Sequence, residues 1–259
     1  MSTLLKLLLN TVSLALVLVI NYLSGTGAIG NTSVGGISRM YPTVITPAGY
    51  AFSIWGLIYT LLILFTCIQW YTYIKKDQSL INSIGIYFFL ANLANLLWVV
   101  IWVNGFIGLS LLMILILLGS LLILMQRLDL ERWNAPFTTI VFVWWPISIY
   151  LGWVIIASIL NFNVFLASAG YNQELLSATI LGIILIALGT AVYIYLTYSR
   201  NLRETAAVGV WGLIAVTVEQ ASVNVAITTA AAASASILFA AILYHAYQNT
   251  PRAALKEQI

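Results

Sequence analysis

Eight apolar runs constrain what this chain can fold into more than any single motif does. They cover Leu4–Leu23, Gly49–Tyr73, Ile81–Val103, Phe106–Met125, Phe137–Leu160, Leu175–Tyr198, Ala206–Ala221 and Val223–Tyr247. A helix needs about 20 apolar residues to cross a bilayer, and most of these runs reach that length. Backbone polar groups in lipid must be satisfied within the spanning segment, so runs of this kind are helices. The pattern predicts an all-α, polytopic membrane bundle of about eight transmembrane helices. Ala206–Ala221 is the weakest span, being short, with Glu219 near its end. Composition agrees: 62% of the residues are hydrophobic and 7% charged, against about 25% charged in soluble domains.

Charge placement supports the count. With the N-terminus cytoplasmic and eight crossings, Lys6, Lys75, Lys76, Arg127, Arg132, Arg200, Arg203, Arg252 and Lys256 all fall on the cytoplasmic side. Only Arg39 falls outside. That asymmetry is what the positive-inside bias produces, and it predicts cytoplasmic termini. The first run, behind Lys6 and ahead of Gly25-Thr26-Gly27-Ala28, also fits a signal peptide. Its length favours a retained helix. The connections are short. Asn104-Gly105 alone joins the third and fourth runs, which predicts antiparallel neighbours, and the longest connection is Ser24–Ala48.

Several function classes are excluded or disfavoured. A net charge of +3, scattered along the chain, does not suggest a nucleic-acid partner. Cys67 and His245 are the only cysteine and histidine, so neither a disulfide nor a Cys/His metal site is expected. No Gly-rich phosphate loop, nucleophile elbow or paired carboxylate is present, which argues against conventional catalysis. Cys67 reads as a small lipid- or core-facing residue. His245 reads as interfacial, beside the basic tail. Glu219 and Gln220 read as capping the turn before the last run. Trp55-Gly-Leu-Ile58 recurs as Trp211-Gly-Leu-Ile214, too short an echo in so biased a composition to define a repeat.

The stretch Tyr41–Tyr59 begins as a loop and ends as an apolar helix. Pro42 and Pro47 cannot both lie inside a helix. Thr46 before Pro47 reads as an N-cap with proline at the first helical position. Phe52, Trp55 and Tyr59 then fall three and four apart, on one helix face. That face fits a wall for a flat ligand, or an aromatic anchor at the membrane interface.

Polar groups inside the apolar runs are costly and therefore informative. The third run carries Asn92 and Asn95, with Asn95, Trp98 and Trp102 on one face. The fifth carries Trp145, Tyr150 and Trp153, then Asn161 and Asn163. Trp153, Ala157, Leu160 and Asn161 share a face there, with Ala157 leaving room beside the indole. Interhelical hydrogen bonding accounts for the asparagines. The interfacial belt accounts less well for Trp98 and Trp153, which lie several residues inside their runs.

At these residues the chain resembles the tryptophan-rich sensory protein family (TspO/MBR), bacterial relatives of the mitochondrial translocator protein. The resemblance rests on Pro47-Ala-Gly-Tyr-Ala-Phe52 with Trp55 and Tyr59, on Asn95-Leu-Leu-Trp98, and on Tyr150-Leu-Gly-Trp153 followed by Ala157 and Leu160-Asn161. The third motif is the most specific, since its spacing holds over twelve positions. The departures are Ala48 for a second proline, Tyr50 for a tryptophan, a gap between Phe52 and Trp55 one residue short, Ala91 for a glutamine, and a displaced Pro146. Three further helices have no counterpart in the short family members.

The resemblance implies two parts: residues 1–166 as a five-helix membrane domain, and 167–259 as three additional transmembrane helices with a short cytoplasmic tail. It implies a pocket for porphyrin-like or other flat hydrophobic molecules. Trp55, Tyr59, Asn95, Trp98, Tyr150, Trp153, Ala157 and Asn161 would line it, and Pro47, Tyr50 and Phe52 would shape its lid. The expected role is a sensor or carrier in the bacterial cytoplasmic membrane, with no required cofactor, a porphyrin or haem-like ligand, and a homodimer as one option. The alternatives are transport of another solute through the added helices, and ligand-dependent porphyrin degradation.

Overall fold

The computed structural model describes residues 1–30, 32–41, 43–171 and 174–249. Pro42 and the basic residues Arg252 and Lys256 lie outside them. The eight apolar runs all become helix. In order these are α1 (Thr3–Gly25), α3 (Ile54–Ile74) led in by a 3₁₀ turn (Gly49–Ser53), α4 (Ser79–Ile84) with α5 (Tyr87–Val103), and α6 (Ile107–Arg127). Then come α7 (Phe137–Thr139), which continues through a π-helical turn (Ile140–Trp144) into α8 (Trp145–Ser168), and α9 (Leu175–Arg200), α10 (Arg203–Gln220) and α11 (Val225–Gln248). One short helix, α2 (Val34–Met40), interrupts the long first connection.

Six helical stretches among the described residues are long and apolar enough to cross a membrane. The two shorter ones are α5, with 17 residues, and α10, which carries Arg203, Glu204 and Glu219 within its 18. The third run breaks at Gly85, whose φ of +64° suits glycine. The carbonyls freed there are taken by Arg127, whose guanidinium donates to Ser83 O at 2.7 Å and Asn82 O at 3.1 Å. The α5–α6 turn pairs antiparallel helices through Gly105, at φ +79°.

The expected helix start at Thr46-Pro47 is displaced. Thr46 Oγ1 accepts from the Thr43 N–H at 3.0 Å inside a local turn, and the Ala48 N–H donates to Ala215 O of α10 at 3.0 Å. With those groups committed elsewhere, the helical turn begins at Gly49. His245 is buried, edge-on to Tyr198 at 5.2 Å between α11 and α9. Asn224, rather than Glu219 or Gln220, caps α11 with its side chain, accepting from the Ile227 N–H. Gln220 closes that turn through its carbonyl. Cys67 is exposed.

A continuous apolar core runs from α1, α3, α5, α6 and α8 into α9 and α10. Its hinge is Gly152 of α8. A Cβ there would lie 2.8 Å from Thr205 O and 2.9 Å from Val208 Cβ, so α10 rests directly on the α8 backbone. Tyr193 of α9 donates its hydroxyl to Gly152 O at 2.6 Å, and Thr205 Oγ1 donates to Ser148 O at 2.9 Å. A smaller apolar cluster joins Ile45 of the long connection to α9, α10 and α11.

Candidate functional site

The spacing on α3 puts Trp55 and Tyr59 one turn apart, and their rings stack at 5.3 Å. Trp55 is also the hub of a wider cluster. Its ring centroid lies 6.0 Å from Trp98 of α5, 6.0 Å from Tyr150 and 6.3 Å from Trp153 of α8. Phe52 meets Trp153 edge-on at 6.0 Å, and Trp98 stacks with Trp102 at 6.1 Å. All these separations fall in the range of attractive aromatic pairs. Three helices distant in sequence thus bring their indoles and phenols to one place.

Amides frame the cluster. Asn95 Nδ2 donates to the Tyr150 hydroxyl at 2.8 Å, and the Trp98 Nε1–H donates to Asn161 Oδ1 at 3.2 Å. Asn161 Oδ1 also accepts from Ser110 Oγ at 3.3 Å, while its Nδ2 donates to Ala157 O. One polar group of the cluster, the Trp153 Nε1–H, stays buried without a hydrogen bond, while the Tyr59 hydroxyl lies beside the amides of Asn95 and Asn21. An unmet buried donor costs about 1–3 kcal/mol, and the fold retains the one on Trp153.

The cluster encloses a void of about 20 Å³, bounded by Trp55, Trp98, Trp102, Trp153, Ala157 and Asn161. That volume suits about one water. Beside it, between α1, α2 and α3, lies an open cleft of about 510 Å³ whose wall includes Asn21, Arg39, Phe52, Trp55 and Tyr59. Phe52, Trp55 and Val34 belong to both spaces. They are the partition between cleft and void.

Seven of the eleven residues expected at a pocket line one of these spaces: Phe52, Trp55, Tyr59, Trp98, Trp153, Ala157 and Asn161. Asn95 and Tyr150 are fully buried behind them. Pro47 and Tyr50 border neither space. Tyr50 packs edge-on against Trp211 of α10 at 5.2 Å.

The cover over the void comes instead from α2, through Val34 and Ser38. Ser33 caps α2 by accepting from the Gly36 N–H, and Trp102 donates to Val34 O at 3.0 Å. Sequence reasoning missed α2 because Gly35 and Gly36 weaken any helical reading. Asn21 carried the same signal as Asn95, an amide inside an apolar run. Its Nδ2 donates to Asn95 Oδ1 at 3.4 Å.

Fold and site together define a polytopic helical membrane protein whose interior holds an aromatic–amide cluster reached from a lateral cleft. The TSPO-like protein family model matches residues 7–244, nearly the whole helical chain, and this protein belongs to that family. Neither the curated proteins nor the solved structures gave a match.

Proposed function

We propose that this protein binds a flat, hydrophobic small molecule of the porphyrin type inside the membrane and acts as its sensor or carrier. The observation that carries the reading is the convergence of Trp98, Tyr150 and Trp153 on Trp55, with ring centroids 6.0, 6.0 and 6.3 Å from it. Aromatic faces suit a planar macrocycle, and a few placed polar groups orient it. The Trp153 Nε1–H would gain a partner from a polar atom of the ligand.

The closed void is far below the roughly 300–1,000 Å³ that a drug-sized ligand occupies. Binding therefore needs Phe52 and Trp55 to swing, merging void and cleft, while α2 lifts at Val34. Arg39 at the cleft supplies a cation for an acidic substituent.

The test is quenching of tryptophan fluorescence by protoporphyrin IX in purified protein. Trp98→Ala combined with Trp153→Ala should weaken binding by at least about tenfold, given the area each indole buries. Unchanged affinity would remove this site from consideration.

A further inference from the structure

A second space opens on another side of the molecule, between α3, α8 and α10. It is a lateral groove of about 520 Å³, apolar along Leu57 and Ile149 and flanked by the indoles of Trp145 and Trp211. Trp211 is fixed there by donating its Nε1–H to Ala51 O at 3.2 Å. It shares no residue with the aromatic void or with the cleft beside α2.

One carboxyl group, Glu204, belongs to this groove. Its Oε2 is buried without a hydrogen-bond partner, and so is the Nε1–H of Trp145. The described ion pairs at this end join Asp129 to Arg132 at 3.8 Å and to Arg200 at 3.7 Å, and neither includes Glu204. Arg203 follows the same pattern, with its Nε buried and unbonded. Glu131, in the α6–α7 connection, is near enough that the Glu204 charge helps push its carboxyl up to about 7, behind the larger effect of burial. Glu204 therefore lies among groups that do not neutralise it by contact, beside an apolar groove open at the molecular surface. A carboxylate in such a place is stabilised by a cation that brings its own apolar body.

We propose that this groove is a second binding site, for an amphipathic amine. The ammonium group pairs with Glu204. The apolar body lies along Leu57 and Ile149, with the Trp145 and Trp211 rings as walls. An indole beside the ammonium adds cation–π attraction. The site is independent of the porphyrin reading and shares no side chain with it.

The test uses 12-bromododecylamine and 12-bromododecanol, whose bromine quenches nearby tryptophan, on the full chain in detergent. The amine should quench saturably and bind at least about tenfold more tightly than the alcohol. Glu204→Gln should bring the amine down to the level of the alcohol. Ala207→Phe, at an exposed position on the groove wall, should block the amine while leaving Glu204 in place. Both variants should keep wild-type circular dichroism and wild-type protoporphyrin quenching, which separates this site from the first. Equal binding of amine and alcohol would mean that the groove takes only an apolar chain, and would overturn the proposal. So would a saturable amine signal untouched by Glu204→Gln, or none in the wild type.

Discussion

The backbone N–H of Ala48 donates to the carbonyl of Ala215 at 3.0 Å, so the chain entering α3 is held by α10. The contact is one of a set. Trp211 of α10 donates to Ala51 O and packs edge-on against Tyr50. Val44 and Ile45 press against Gly182 of α9, where an added Cβ would approach within 2.7 Å and 3.1 Å of them. A proline at position 48 would have no N–H to give. Ala48 and Tyr50, where this chain departs from the TspO/MBR pattern, are thus the residues that α10 grips.

Ala48→Pro tests that link. Ala48 already has a φ of −56°, which proline adopts without strain, so the substitution chiefly deletes the bond to Ala215. A loss of about 0.5–1.5 kcal/mol is expected, read as a lower thermal midpoint in detergent. A midpoint equal to or above wild type would show that the bond does not hold α10.

Gly152→Ala should act more strongly at the junction of α8 and α10. Its Cβ would meet a backbone carbonyl and Val208 Cβ at under 3 Å, atoms that cannot swing aside. Overpacking of this kind costs about 1–3 kcal/mol. Thermal unfolding of Gly152→Ala beside Gly119→Ala, where an added Cβ meets nothing within 4 Å, isolates the effect.

Tyr150→Phe leaves Asn95 Nδ2 without its 2.8 Å acceptor in a fully buried position. Interhelical hydrogen bonds in membranes are worth about 0.6–2 kcal/mol, and a stability loss in that range is expected. Protoporphyrin affinity should fall less than in the Trp98→Ala, Trp153→Ala pair, because Tyr150 sits behind the void rather than on its wall.

Glu131 gives a pH dependence with a defined sign. Burial first, and Glu204 second, raise its carboxyl from the usual 4.5 to about 7, against the opposing pull of Arg203. The folded protein thus holds this proton more tightly than the unfolded chain. Stability from this group is full below about pH 4.5 and is lost as pH rises toward 7. The position is partly exposed, so solvent screening trims the effect to about 1 kcal/mol. Glu131→Gln should flatten the unfolding midpoint between pH 5 and 8, whereas an unaltered profile would assign the titration to another group.

The helices were legible because their signal is additive: each run of apolar residues has one low-energy form in lipid. The spacing of Asn95 with Trp98, and of Tyr150 with Trp153, Ala157 and Asn161, likewise marked faces that meet in the fold. What the sequence could not convey was long-range choice. Thr46 and Pro47 look locally like a helix start, and the Thr43–Thr46 turn together with the bond from Ala48 to Ala215 moves that start to Gly49. The α2 cover hides behind two glycines. Glu204 carried no signal in the sequence, and only the packing of α3 and α8 beside α10 sets it on a groove.

The most direct measurement is an experimental structure of the protein with protoporphyrin IX bound. The ring should lie between Trp55 and the pair Trp98 and Trp153, with the Trp55–Trp153 centroid distance well beyond its ligand-free 6.3 Å and the cleft beside α2 continuous with the void. A porphyrin bound elsewhere, with the Trp55 cluster still closed, would contradict the account.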